Sequence, residues 1–204
     1  MFILYAVVVG LVLGVLLHGS PARLGDLRFR WAPLILIGTA IQVALFSEPV
    51  SARVGALGPG IYVGSTALVL AAVVRNVRIR GLWIVALGAA SNLAAIVANG
   101  GFMPTTTAAL GSHAASAGGG YSNSIVLANP ALAPLTDIFA LPAWLPAGNV
   151  FSIGDVLIGA GIVAVIVVQM RRRPVVDIRD RLVRFAPFVG AAGTGSADGP
   201  PSPF

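Results

Sequence analysis

Phe151-Ser-Ile-Gly-Asp155 opens the apolar run Val156-Leu-Ile-Gly-Ala-Gly-Ile-Val-Ala-Val-Ile-Val-Val168. The run is typical of a membrane helix, and an ionisable group at the edge of such a helix is costly, which makes Asp155 a functional candidate. Asp137 precedes Asp155 by eighteen residues and is separated from it by a proline-bearing connection. These two aspartates are the only acidic residues in the second half of the chain before its C-terminal tail. We therefore expect the chain to be organised around this stretch.

Composition places the chain among the integral membrane proteins. Of 204 residues, 57% are hydrophobic and 10% are charged, and the mean hydropathy is +0.92. A soluble domain carries about 25% charged residues, so a chain this apolar could not cover a soluble surface. Cysteine is absent, which excludes disulfides, a thiol nucleophile and cysteine metal sites. The net charge of +6 reflects thirteen arginines, which indicate cytoplasmic flanks of membrane helices rather than nucleic-acid binding.

Five apolar runs predict the fold, an all-α polytopic membrane helix bundle. A helix needs about 17–25 residues to cross the hydrocarbon layer, and most of these runs have lengths at the short end of that range. Residues 1–174 would form the transmembrane domain, with spans at 2–18, 32–47, 54–74, 82–98 and 153–170.

The distribution of arginine predicts the orientation of these spans. Three arginines lie in the loop 19–31, three in the loop 75–81 and six in the C-terminal tail, whereas the loop 99–152 has none. Because cytoplasmic loops are enriched in arginine and lysine, the loop 99–152 should lie outside. We therefore predict a multi-pass membrane protein with the N-terminus outside and the C-terminus in the cytoplasm.

Further predictions concern the regions outside the spans. Within the outer loop, the apolar segment 125–146 is interrupted by four prolines, so we expect short helices that lie in the interface or re-enter the membrane. Residues 175–190 form a juxtamembrane segment, and residues 191–204, rich in Gly, Pro and Ser, a disordered tail. The bilayer is the expected partner, and its anionic cytoplasmic leaflet should be bound through Arg171, Arg172 and Arg173.

Polar residues near the predicted outer surface are candidate binding residues: Asn92, Asn99, Gly100, Gly101, Asn149 and Ser152. Asn92 and Asn99 are seven residues apart and therefore lie on one helix face. Structural roles are equally open, because Asn92 could form an interhelical hydrogen bond and Asn99 could cap a helix. Gly100 and Gly101 would allow a turn with positive φ.

The two aspartates admit two interpretations. Ser152-Ile-Gly-Asp155 resembles a capping box, so Asp155 could serve only the helix start, and Asp137 could cap a short helix in the loop. Alternatively, the two carboxyl groups meet and share a proton, because close carboxylates cannot both ionise. Asp155 would then act as the base on water, and protonated Asp137 would donate to a carbonyl oxygen.

Three motifs resemble the bacterial family called domain of unknown function 5317. They are Asn99-Gly-Gly-Phe-Met-Pro104, Leu135-Thr-Asp-Ile138 and Asn149-Val-Phe-Ser-Ile-Gly-Asp-Val-Leu-Ile158. Together with the arginine-flanked early helices, the resemblance covers nearly the whole chain. It implies a membrane protein but no particular activity.

A shorter resemblance connects Phe151–Asp155 with the Phe-Asn-x-Ala-Asp segment of lipoprotein signal peptidases. In that family the segment enters the last membrane helix from outside, and a second catalytic aspartate lies upstream in a context similar to that of Asp137. The resemblance implies that the two aspartates form a catalytic pair. The chain departs from that family in having Ser152 in place of Asn, in lacking the Gly-Asn-x-x-Asp-Arg motif, and in having five predicted spans where the family has four.

Two classes of function remain open at this point. One is an aspartyl-type hydrolase that acts at the outer surface on a lipid-linked or membrane-embedded substrate. The other is a non-catalytic membrane protein that binds or carries a small molecule, a proton or a lipid, or serves as an accessory subunit. No nucleotide-binding glycine motif and no histidine-rich cluster is present, so we expect neither a cofactor nor a metal.

Overall fold

The computed structural model describes residues 2–106, 122–142 and 150–172 of the protein. This part of the chain is mostly helical, as predicted. Its α-helices are α1 (Phe2–Leu16), α2 (Ala32–Leu45), α3 (Glu48–Val54), α4 (Gly58–Arg75), α5 (Leu82–Ala98) and α6 (Ile153–Arg171). The predicted segment 175–190, the predicted tail 191–204, Arg173 and Asn149 lie outside the described residues.

Helices lie at all five apolar runs, and α3 is an addition that the sequence did not predict. The residues around Glu48 and Arg53, between the predicted spans 32–47 and 54–74, form two helical turns. Ser47 stands in extended conformation before the first turn and its carbonyl accepts from Ser51 N–H at 2.8 Å. Gly55, at φ 49°, ends the helix. The missed helix is short, and its sequence has too few apolar positions to show a period.

Two stretches of the described chain are long and apolar enough to cross a membrane. They are Glu48–Arg75, with 28 residues, and Ile153–Arg171, with 19. The other apolar helices, α1, α2 and α5, have 15, 14 and 17 residues. Length and composition therefore associate the protein with a membrane. That all five helices cross the bilayer stays a prediction.

The order of the helices in the bundle differs from their order in the chain. α6 packs against both α1 and α5, α5 packs against α4, and α4 packs against α2. Reading across the bundle, the helices follow the order α1, α6, α5, α4, α2. The last helix of the described chain is therefore a central element of the fold, although it is synthesised after all the others.

Glycine permits the close approach of α6 to both neighbours. A Cβ atom added at Gly161 would stand 2.6 Å from the Val85 side chain, and one added at Gly88 would stand 2.8 Å from the Ile158 nitrogen. On the other side of α6, an added Cβ at Gly10 of α1 would stand 3.0 Å from Ile166. Small residues at these positions let helix backbones approach closely, which is typical of helix packing in membranes.

The loop between α5 and α6 contains strands where short helices were expected. β1 (Met103–Thr105) pairs in parallel with β2 (Ser124–Val126), and β3 (Phe139–Ala140) pairs antiparallel with β4 (Val150–Phe151). Within the described part of the predicted segment 125–146, the expected helices are reduced to one 3-10 turn, Ala133–Leu135. Pro130 and Pro134 have no N–H group to donate to a helix, whereas β-branched residues in β2 favour extended backbone.

Most arginines of the described chain lie at the opposite end of the helices from Asp137 and Asp155. α5 begins after Arg80 and ends next to the strands, whereas α6 begins with Asp155 in its first turn and ends at Arg171. The 3-10 turn Pro21–Asp26 meets the end of α6, because Arg23 Nη1 donates to Met170 O at 3.0 Å. We call one end of the bundle the arginine end (residues 19–31, 75–81 and 171) and the other the aspartate end (the end that carries Asp137 and Asp155).

Candidate functional site

Asp155 belongs to a hydrogen-bonded network that joins the start of α6 to α5. Ser152 N donates to Asp155 Oδ2 at 3.0 Å, and Asp155 N donates to Ser152 Oγ at 3.1 Å. This is the capping box that the sequence indicated. Asn92 Nδ2 donates to Asp155 Oδ1 at 2.9 Å. The network therefore couples a helix cap to an interhelical hydrogen bond.

Asn92 and Ser152 are also in direct contact with one another. The Ser152 hydroxyl lies 2.8 Å from Asn92 Oδ1 and 3.1 Å from Asp155 Oδ2, and its single proton can be donated to either oxygen. Gly154 makes this arrangement possible, since a Cβ atom there would collide with Asn92 Oδ1. Ser152 is fully buried. The three predicted site residues Asn92, Ser152 and Asp155 thus form one rigid cluster.

Asp137 is fixed by its backbone rather than by its side chain. Asp137 N donates to Pro104 O at 2.9 Å, and Thr105 Oγ1 donates to Asp137 O at 3.1 Å, which adds Asp137 to the edge of β1. The residue is only 7% exposed. Among the described residues, its hydrogen bonds run through the backbone alone. The backbone hydrogen bonds therefore hold Asp137 in place at this buried position.

The surroundings of Asp137 favour its neutral form. Burial, and secondly the nearby charge of Asp155, raise the pKa of the Asp137 carboxyl to about 7. A buried carboxylate loses hydration and is repelled by a second carboxylate, and both effects oppose ionisation. Asp137 is thus half-protonated near neutral pH.

The turn before Asp137 brings this residue to the helix ends. The 3-10 turn Ala133–Leu135 packs against both α5 and α6. Leu135 packs on the buried cluster of Ala95, Ile96 and Met103 at the same end of the bundle. Asp137 and Asp155 are consequently close enough to interact electrostatically. The described residues thus contain, in one region, the Asp137 carboxyl group with its raised pKa and the hydrogen-bonded Asp155 carboxyl group.

Asn99 and the two glycines after it form the end of α5. Asn99 Nδ2 donates to Ala131 O at 2.9 Å, and Asn99 Oδ1 accepts from Ala131 N at 2.9 Å. Gly101 N donates to Ile96 O at 2.8 Å, and Gly100 and Gly101 have φ values of 70° and 89°. This bonding is a Schellman C-cap, in which glycine accepts the left-handed backbone. The three residues hold the loop against α5.

Tyr62 is a site residue that sequence reasoning missed. Its side chain forms a hydrogen bond with Asn123 and lies within electrostatic range of both Asp137 and Asp155. Tyr62 also packs on the buried cluster next to Leu135. No spacing in the sequence indicates this, because Tyr62 lies on α4 and its partners follow more than sixty residues later. Asn149, also predicted to bind, lies outside the described residues.

The described residues contain no group of three or more His, Cys, Asp or Glu side chains that could hold a metal ion. The polar atoms at the aspartate end are those of carboxyl, amide and hydroxyl groups. Such a set can hold a water molecule and exchange protons with a polar ligand.

Comparison with known proteins identifies one family. The model of the family of unknown function DUF5317 matches residues 26–167. The chain belongs to this family. The DUF5317 match includes both aspartates, Ser152, Asn92 and Asn99, whereas α1 precedes it. None of the curated proteins and none of the solved structures matches the chain.

Proposed function

We propose that this DUF5317 protein is an aspartyl-type hydrolase that cleaves a membrane-embedded or lipid-linked substrate at the aspartate end. One observation carries the proposal: the buried carboxyl of Asp137, whose pKa is raised to about 7, lies near the hydrogen-bonded carboxyl of Asp155. Acid–base hydrolysis needs one carboxyl in each protonation state. The local resemblance of Phe151–Asp155 to lipoprotein signal peptidases supports the same chemistry.

The proposed topology supplies the substrate class. Five spans, with the N-terminus outside, place the aspartate end at the outer face of a bacterial cytoplasmic membrane and the arginine end in the cytoplasm. The separation of the arginines from the aspartates along the helices supports this orientation. In this topology Arg171, Arg172 and Arg173 face the anionic cytoplasmic leaflet. A site at the outer headgroup level acts on bonds that lie in or just above the outer leaflet.

The reaction proceeds in two proton-balanced steps. In the first, Asp155 accepts a proton from water while the water oxygen attacks the substrate carbonyl carbon, and Asp137 gives its proton to the carbonyl oxygen. In the second, the tetrahedral intermediate collapses, Asp137 recovers its proton from a hydroxyl group, and Asp155 protonates the leaving group. Both carboxyl groups end in their initial states. Asn92 and Ser152 position Asp155 through its hydrogen bonds, and the remaining lone pairs of the carboxylate can accept from water.

Incorporation of heavy oxygen tests the proposal even though the substrate is unidentified. The full-length protein is reconstituted into vesicles of bacterial membrane extract in water labelled with oxygen-18, and new labelled carboxyl groups are measured by mass spectrometry. We expect label with the wild type and with Asp26→Asn, a control at the arginine end. Asp137→Asn and Asp155→Asn should each give background levels. Label that persists in either variant would refute the mechanism.

Cross-linking tests the geometry separately from the chemistry. Since the chain lacks cysteine, Asp137→Cys combined with Asp155→Cys introduces the only two thiols. A short bifunctional thiol reagent should join them, whereas a direct disulfide needs Cα atoms within about 7 Å. A well-expressed double variant that does not cross-link would rule out the carboxyl pair.

A second candidate function is a non-catalytic proton or small-molecule binder. It is favoured by the bonding of Asp155, whose contacts with Ser152 and Asn92 would serve a helix cap and a helix–helix contact equally well. In this case Asp137 alone would exchange protons or bind ligand. The labelling experiment separates the two candidates, because a binder gives no labelled product with any variant.

A further inference from the structure

A cavity of about 630 Å³ opens at the arginine end, far along the helices from the aspartates. It lies between the residues before α2 and the residues that end α4. Its polar lining consists of Arg28, Arg30, Trp31, Arg75, Asn76 and Arg78, and the remainder of its wall is aliphatic. Within the described part of the chain, no acidic side chain lines the cavity. Four arginines therefore line this space, and no acidic residue of the described chain lines it with them.

Asn76, one of the residues that line the cavity, is buried and held by hydrogen bonds. It is 4% exposed, and its amide bonds both backbone groups of Arg30: Oδ1 accepts from Arg30 N at 2.7 Å and Nδ2 donates to Arg30 O at 2.6 Å. Nδ2 also donates to Ala72 O at 2.7 Å. The buried amide thus clamps the two lining segments together. The arginines project from a built framework rather than from independent loops.

Trp31, the residue after the clamp, has a strained backbone. Its φ of 60° lies in the left-handed region, which is uncommon for a bulky side chain. The Arg75 guanidinium stands 5.8 Å from the centroid of the Trp31 ring, within the range of a cation–π contact. Strained residues that persist in a fold cluster at ligand sites. Trp31, with this left-handed backbone, contributes its aromatic side chain to the lining of the basic cavity.

We propose that this cavity binds a phosphate group. The planar guanidinium fork matches phosphate oxygens in a two-bond geometry, and arginine is the residue preferred for such recognition. The aliphatic wall and the Trp31 ring suit a phosphate that carries an apolar or glycerol substituent. The same chemistry is present in an anionic phospholipid headgroup and in a soluble phosphate compound. The proposal does not depend on the aspartate site.

The test compares two double variants that have the same net charge. Arg28→Gln/Arg78→Gln removes two lining guanidinium groups, and Arg53→Gln/Arg80→Gln removes two that do not line the cavity. Full-length protein is delipidated in a neutral detergent and titrated with phosphatidylglycerol, phosphatidylcholine or inorganic phosphate. Binding is followed by native mass spectrometry and thermal shift. Circular dichroism checks that each variant is folded.

We expect the lining variant to bind phosphatidylglycerol at least tenfold more weakly than wild type, and the control variant to bind it like wild type. Arg28→Lys/Arg78→Lys should fall between them, because lysine keeps the charge and loses the fork. Binding of inorganic phosphate with the same variant pattern would identify a soluble ligand, and binding of lipid alone a headgroup. Equal losses in both double variants, or no loss in the lining variant, would overturn the proposal.

Discussion

Asp137 makes the stability of the fold depend on pH. The pKa of its carboxyl is raised from 3.8 to about 7 in the folded protein, so between these values the folded state binds more protons than the unfolded state. The free energy of unfolding must then fall as pH rises through this window. At about 1.4 kcal/mol for each pKa unit, the full loss is up to about 4 kcal/mol. Below pH 4 the full stabilising contribution of the Asp137 proton to the free energy of unfolding is present. Above pH 7 that contribution has been lost and the free energy of unfolding falls no further on account of Asp137.

This prediction is checked by melting the wild type and Asp137→Asn in detergent from pH 4 to pH 8. The amide does not titrate, so the difference in Tm between the two proteins should change steadily up to about pH 7 and then remain constant. Groups that do not interact with Asp137 titrate alike in both proteins and cancel in the difference. A constant difference across the whole range would show that the pKa of Asp137 is the same in the folded and unfolded states.

Single residues differ in how far the sequence reveals them. The Ser152–Asp155 capping box was predictable because all its atoms lie within four residues. The burial of Asp137 was not, since it depends on the Pro104 carbonyl and the Thr105 hydroxyl more than thirty residues earlier. The contact of Tyr62 with Asn123 could not be predicted for the same reason. Local hydrogen bonds leave a pattern in the sequence, whereas long-range contacts do not.

Among the elements, the approach of α5 to α6 depends on Gly154. We expect Gly154→Ala to displace Asn92, whose Oδ1 occupies the position of the new Cβ atom. The loss of the Asn92–Asp155 hydrogen bond and the added crowding should destabilise the protein by about 1–3 kcal/mol. Chemical denaturation in detergent measures this change.

Gly64 provides the matched control within α4. A Cβ atom added there meets no atom within 4 Å, and alanine is favoured over glycine in a helix by about 1 kcal/mol. Gly64→Ala should therefore leave stability unchanged or raise it. If the two substitutions had equal effects, the close contact of α5 with α6 would not limit stability.

Long apolar helices were predictable as elements, and short polar-bounded ones were not. The apolar runs are long enough to outweigh local exceptions such as Pro33 and Pro59, which fall within the first turns of α2 and α4. α3 and the two-stranded pairings depend on turns and on contacts between distant segments. The order of the helices across the bundle is also absent from the sequence, because each apolar face suits several neighbours.

At the scale of the whole molecule, the proposed orientation predicts opposite locations for two reporters. A fusion after Gly118 should report the outside, and a fusion after Arg184 should report the cytoplasm, because arginine is abundant beside the second and absent from the loop of the first. Paired phosphatase and fluorescent-protein reporters read the two sides independently. Reports from the same side would refute the five-span arrangement.

The contact between α1 and α6 has a consequence for biosynthesis. Among the described helices α1 is synthesised first, yet its main partner is α6, the helix that ends at Arg171. Until then, the small-residue face formed by Ala6, Gly10 and Gly14 has no helix to cover it. The nascent chain therefore carries this face of α1 uncovered until α6 has been synthesised.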